Sequence, residues 1–171
     1  MIIVKDKEEL EQIIESRSNN ANLNDLDVSN VTNMSYLFFG SKFNGDISKW
    51  NVSNVTNMER MFENSFFRGD ISKWDVSNVT SMFGMFYNSS FNQDISHWDV
   101  SKVQDMSFMF YKSKISEKNL NNIIMRWKVN ANVNFSHFYK GINTYQDFIK
   151  KQKQLKKQKL GKFGKLLDIA D

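Results

Sequence analysis

Cysteine is absent from these 171 residues, which excludes a disulfide framework and any thiolate-held metal and leaves the redox compartment undetermined. Histidine occurs only at His97 and His137, neither with a nucleophile or paired acid near it in sequence. The chain has no phosphate-cradling loop, dinucleotide fingerprint or metal-spaced histidine cluster. Long apolar runs are missing too: Met1-Ile2-Ile3-Val4 gives way to charge at Lys5, so no signal peptide or membrane span can be read. These absences point away from an enzyme. No cofactor, metal or small-molecule substrate is expected, and an intracellular location is favoured over an exported one.

What is present is a repeat. Trp50, Trp74 and Trp98 stand 24 residues apart, in units DVSNVTNMSYLFFGSKFNGDISKW (27 to 50), NVSNVTNMERMFENSFFRGDISKW (51 to 74) and DVSNVTSMFGMFYNSSFNQDISHW (75 to 98), followed by a decaying DVSKVQDMSFMFYKSKISEKNLNN (99 to 122). Leu26 fills the Trp column one period earlier, and Trp127 comes five residues late. Columns that keep their apolar type, such as Val28/Val52/Val76/Val100, Met34/Met58/Met82/Met106 and Phe38/Phe62/Phe86/Phe110, mark the core. One unit cannot bury so many large side chains alone, whereas stacked units cover one another. Isolated units should therefore be unfolded.

Within a unit, Ile47, Trp50 and Val52 around an outward Asn51 read as a short strand. Val55, Met58, Met61 and Phe62 then follow helical spacing, and Thr56 with Glu59 has the capping-box interval that opens a short helix. Turns at Ser53-Asn54 and at Asn44-Gly45, Arg68-Gly69 and Asn92-Gln93 join these pieces. The expected fold class is α/β: a leucine-rich-repeat-like, right-handed solenoid of 24-residue units, each a short parallel strand plus a short helix. Helical N- and C-terminal caps close it. The expected parts are an N-terminal cap (1–25), the repeat (26–122), and a C-terminal cap with a Lys-rich tail (123–171).

The string W-[DN]-V-S-N-V-T-x-M-x-x-M-F followed by S-x-F-N-x-D-I-S resembles the bacterial repeat family DUF285, also described as BspA-type or Listeria-type surface repeats. The resemblance covers roughly residues 7 to 122. It implies a leucine-rich-repeat-like fold and brings no catalytic residue. Members of that family are mostly surface or secreted proteins, but the cysteine of a lipoprotein anchor is missing from this sequence.

Outside the repeat, residues 6–18 read as a helix capped by Asp6, with Leu10, Ile13 and Ile14 on one face. Leu120 to Trp127 suggests a second helix, and Asn130 to Tyr139 an irregular or short-strand connector. From Lys140 onward nine Lys face three Asp, whereas the residues before carry 14 basic and 16 acidic side chains. All the net basicity is in the tail. Tyr145, Phe148, Ile149 and Leu155 share one helical face there, opposite Lys150, Lys151, Lys153, Lys156, Lys157 and Lys159, and Gly161 and Gly164 interrupt the pattern. Such a helix packs its apolar face on the last coil, grips an anionic membrane or nucleic acid, or docks in a partner's groove. The tail's lack of Arg argues against nucleic acid.

The exposed strand positions are the candidate protein-binding face: Lys49, Lys73 and His97 in one column, and Asn51, Asp75 and Asp99 in the next. Asp46, Asp70 and Asp94 form a further ladder, better suited to hydrogen-bonding turn amides than to binding Ca²⁺. The Asn-Val-Thr tripeptides at Asn30, Asn54 and Asn78 serve turns. The expected function is a noncatalytic repeat scaffold that binds an unidentified protein partner. The alternative is a peripheral binder of an anionic surface through the Lys-rich helix.

Overall fold

The 24-residue period becomes, in the computed structural model, a stack of hydrogen-bonded coils. The structure describes the backbone of residues 1–167 and the side chains of residues 1–161. Regular elements lie mostly at its ends: β1 (Ile2–Ile3), α1 (Lys7–Ser16), β2 (Leu26–Asp27), α2 (Glu117–Arg126) and α3 (Tyr145–Leu167). Parallel single-residue bridges run Asn33 to Asn57 to Ser81 to Asp105 to Asn134, one coil per step.

The described units between β2 and α2 contain no helix, where strand followed by short helix was expected. The same corner recurs three times per coil instead. Asp46, Asn51 and Asn57 each accept a hydrogen bond from the amide two residues on, at Ser48, Ser53 and Glu59. Each is followed by a tight turn, Trp50 N–H to Ile47 C=O, Val55 to Val52 and Met61 to Met58, at 2.9–3.3 Å. The pattern is [Asp/Asn]-apolar-x-x-apolar, and its two apolar residues point inward. Helical spacing of apolar residues and successive three-residue turns look alike in sequence. Here the amides that a helix would use internally reach the next coil: Met58, Arg60, Phe62 and Asn64 donate to Ser81, Phe83, Met85 and Tyr87 at 2.8–3.0 Å. Thr56 caps nothing, since its amide and hydroxyl both point at Thr32 C=O of the preceding coil.

Inside, identical columns stack. Phe38, Phe62, Phe86 and Phe110 follow one another at 5.4–5.7 Å with rings within 9° of parallel. Each indole N–H ties two coils: Trp50 to Leu23 C=O, Trp74 to Ile47, Trp98 to Ile71 and Trp127 to Ile95, at 2.9–3.1 Å. Trp127 is therefore in register. Helix α2, capped by Ser116, absorbs the five extra residues, and the ladder goes on as Met106, Phe108 and Phe110 donate to Asn134, Ser136 and Phe138. The segment expected to be an irregular or short-strand connector is thus the last coil, bridged in parallel to the one before through Asn134 and Asp105. Asn54 and Asn78 side chains donate to Ser29 and Ser53 carbonyls of the coil before, at 2.8 Å, a structural duty.

At the front, Asp6 caps α1, whose Leu10 is fully buried, and β1 pairs in parallel with β2. At the back, α3 continues through Gly161 and Gly164 without the expected interruption. Its Phe148 is fully buried, stacked 4.9 Å from Phe135. Gln152 donates to the carbonyls of Ile124 and Trp127, satisfying acceptors that the end of α2 leaves open.

The corner carboxylates make the stack sensitive to acid. Hydroxyl and then amide hydrogen bonds from Ser29, Ser77 and Ser101 hold Asp27, Asp75 and Asp99 below the usual carboxylate range. At Asp46 and Asp70 the amide of Ser48 or Ser72 acts first and the hydroxyl second. A depressed folded-state pKa stabilises above the unfolded value of about 3.9 and is lost as pH falls through the folded value. The melting temperature should be flat near neutrality and drop below roughly pH 4. Asp75→Asn keeps the acceptor, as Asn51 does in the same column, and should flatten part of that drop. A melting temperature constant down to about pH 2 in thermal scans would contradict the assignment.

Candidate functional site

The polar columns singled out in the sequence lie side by side and exposed: Lys49, Lys73 and His97, beside Asn51, Asp75 and Asp99. The second column is already committed, because its side-chain oxygens accept from Ser53, Ser77 and Ser101 amides. Asp46, Asp70 and Asp94 are engaged in the same way with Ser48, Ser72 and Ser96. His97 Nε2 is 2.9 Å from Arg126 Nη1, so a guanidinium faces it. The tail lysines divide differently: Lys150, Lys153, Lys156, Lys157 and Lys159 are exposed and Lys151 is half-buried.

Another surface, unmarked in the sequence reading, has more chemistry. Residues 36, 60, 84, 108 and 137 occupy equivalent places in successive coils, all with left-handed backbone: Tyr36 (φ 61), Arg60 (51), Gly84 (57), Phe108 (58) and His137 (55). For a residue with a side chain this conformation costs on the order of 1–2 kcal/mol. The coil ladder enforces it, as the Tyr36, Arg60, Gly84 and Phe108 amides each donate to the next coil at 2.8–2.9 Å. Their side chains are thereby thrown to one corner of the stack, where they meet Phe39, Phe83, Tyr87 and Tyr111.

The corner is continuous. Tyr36 lies 5.8 Å from Phe39; the Arg60 guanidinium sits over Tyr36 at 5.8 Å and over Phe83 at 4.9 Å; Phe83 meets Phe108 edge-on at 5.8 Å. Phe108 then stacks on His137 at 4.7 Å, and Tyr87 on Tyr111 at 5.9 Å. Tyr36 is 44% and Phe39 47% exposed, values that separate this corner from the sealed Phe columns inside. Beneath it, Glu63 is 8% exposed, with Oε2 3.4 Å from Arg60 Nε. Burial pushes the Glu63 carboxyl above its ordinary range, and the neighbouring Arg60 opposes this. A raised pKa has the opposite sense to the corner aspartates: its contribution is present at low pH and lost as pH rises through the folded value. A sequence signal for this corner did exist. Tyr36, Phe39, Phe83 and Tyr87 place aromatics in three columns where other units carry polar residues such as Arg60, Glu63 and Glu59.

The family model described as Mycoplasma protein of unknown function, DUF285, matches residues 8–123 and 90–163. The chain belongs to the DUF285 family. The two matches together take in the α1 cap, every coil and most of α3, so the DUF285 assignment extends past the roughly 7–122 stretch whose motifs resembled it. No curated protein and no solved structure matches this DUF285 chain. No helix among the described residues of the DUF285 chain is long and apolar enough to cross a membrane.

Proposed function

We propose that this DUF285 chain is a noncatalytic scaffold, a short capped solenoid of the leucine-rich-repeat kind, that binds another protein through its aromatic corner. The observation that carries this reading is the unbroken run of aromatic and Arg contacts from Phe39 to His137 on a hydrogen-bonded backbone. Tyr, Trp and Arg dominate the energetics of protein interfaces. A surface already held in place also loses little conformational freedom on binding. The polar columns beginning at Lys49 and Asn51 are read as a solvated face, since the oxygens of Asn51, Asp75 and Asp99 serve the turns.

The experiment compares capture of proteins from source-cell lysate by the native chain and by Tyr36→Ser/Phe39→Ser, at low and high salt. Loss of one hot-spot residue costs about 2 kcal/mol or more, so a partner retained by the native chain should be held at least roughly tenfold less by the variant. Equal capture by both chains would contradict the reading.

One observation favours a second reading, binding of an anionic surface by α3. Every described residue from Lys156 to Gly161 is exposed, so the helix carries lysines beyond Leu155, the last buried side chain among the described residues. Under this reading, binding to phosphatidylserine vesicles falls steeply with added salt, and Lys156→Glu/Lys157→Glu abolishes it.

A further inference from the structure

The two ends of the stack carry charge of opposite sign. Helix α1 holds Glu8, Glu9, Glu11 and Glu15 against Lys7 alone, whereas α3 holds eight lysines against Asp147. We propose that these ends fit one another between copies, the Lys156–Leu160 stretch of α3 from one copy lying in the groove between α1 and the first coil of the next. The groove shares Tyr36 and Phe39 with the aromatic corner, and to that extent the proposal rests on the reading above. Phe83, Tyr87 and Phe108 stay free for another partner.

The groove is short of donors. It encloses about 400 Å³, with Glu11, Ile14 and Glu15 of α1 facing Tyr36, Leu37 and Phe39 of the first coil. Glu15 has no ion-pair partner among the described residues, Glu11 has Lys7 at 3.3 Å, and the nearby Arg17 is held by Asp25 at 3.3 Å. The backbone adds to this. In the second coil the carbonyls of Asn57, Glu59, Met61 and Glu63 accept from the amides of Met34, Tyr36, Phe38 and Gly40 in the coil before. The equivalent carbonyls of the first coil, at Asn33, Ser35, Leu37 and Phe39, accept no hydrogen bond among the described residues. They point off the front of the stack, two of them from residues that line the groove. An ammonium group, with three donors and no acceptor, matches such a place. The Ile14, Leu37 and Phe39 side chains ask in addition for an apolar contact.

The end of α3 has both. Leu160 is 72% exposed, and Lys156 and Lys157, four and three residues before it, share its face. The spacings agree as well. Glu8, Glu11 and Glu15 run along one face of α1, as Lys153, Lys156 and Leu160 do along α3, each set about 10 Å long. Helix α3 continues to Leu167, about 18 Å past Leu155, which is length enough to lie across a neighbour. Within one copy α3 packs on α2 and not on α1, so the contact joins two copies. A front-to-back contact uses different surfaces on the two partners and adds copies in series.

Sedimentation velocity of the full chain over a concentration series is the test. At low salt the average mass should rise with concentration, and at high salt it should return to that of one chain. Glu11→Lys/Glu15→Lys reverses the groove, and Lys156→Glu/Lys157→Glu reverses the tail. Each alone should weaken association at least about tenfold, since like charges then face each other. An equimolar mixture of the two should associate again, because the native tail of the first meets the native groove of the second. Leu160→Ser should weaken association without a change of charge, and melting checks that every variant folds. A native chain that stays single at all concentrations would overturn the proposal, and loss of vesicle binding by Lys156→Glu/Lys157→Glu would then assign the tail to a membrane. Association unchanged by either charge reversal or by Leu160→Ser would overturn it too, as would a mixture that stays dissociated. Association lost only in Tyr36→Ser/Phe39→Ser removes the role of α3 and leaves the corner standing. Equal lysate capture by the native and Tyr36→Ser/Phe39→Ser chains, with charge-dependent association intact, contradicts the corner and not this contact.

Discussion

Trp74→Ala is expected to destabilise the protein by about 3–5 kcal/mol, the range for removing a large buried aromatic. Trp74 is 4% exposed and stacks on Trp50 at 6.3 Å with an interplanar angle of 4°. Its indole N–H donates to Ile47 C=O of the preceding coil at 3.1 Å. The substitution therefore removes packing on both sides and one of the two hydrogen bonds that Ile47 C=O accepts, leaving it the Trp50 N–H. Trp74→Phe restores most of the ring but no N–H, and should cost less, about 0.5–1.5 kcal/mol for the one hydrogen bond lost. Urea denaturation of both variants reads the difference. An unchanged midpoint for Trp74→Ala would remove the account of how the coils are tied.

The second large effect lies at the other end. Phe148→Ala should cost about 3–5 kcal/mol, because Phe148 is fully buried between Phe135 and Phe138, at 4.9 and 6.2 Å. Lys156→Glu/Lys157→Glu, at exposed positions on the same helix, should shift stability by no more than about 0.5 kcal/mol per site. The contrast divides α3 into a cap and a projecting basic end. If Phe148→Ala melted like the native chain, the helix would be an arm and the last coil would have to be closed some other way.

How far the sequence could be read depends on the kind of position. Core columns, the Trp register and the Asp6-capped first helix were legible, because burial repeats with the period and a cap has its own chemistry. The internal build of the coil was not. Val55, Met58, Met61 and Phe62 satisfy a helical stripe and a chain of Asx-led turns equally well. The choice is made by amides that find carbonyls in the next coil, a long-range bond with no local signature. Trp127 looked displaced because an insertion that a helix absorbs cannot be told from a lost register by counting. The candidate face could be read for exposure but not for its hydrogen bonds, for a related reason. Asn51, Asp75 and Asp99 looked free, but Asx turns use their oxygens. Tyr36, Arg60 and Phe108 share no signature in sequence, and it is their left-handed backbone that gathers them at one corner.

The central claim is that this corner is the working surface, and hydroxyl-radical footprinting of the chain with and without its captured partner tests it most directly. The account predicts that Tyr36, Phe39, Phe83, Tyr87 and Phe108 lose reactivity on binding while His97 and Leu160 keep theirs. Undiminished reactivity of the five corner aromatics, with protection appearing at His97 or along α3, would contradict it.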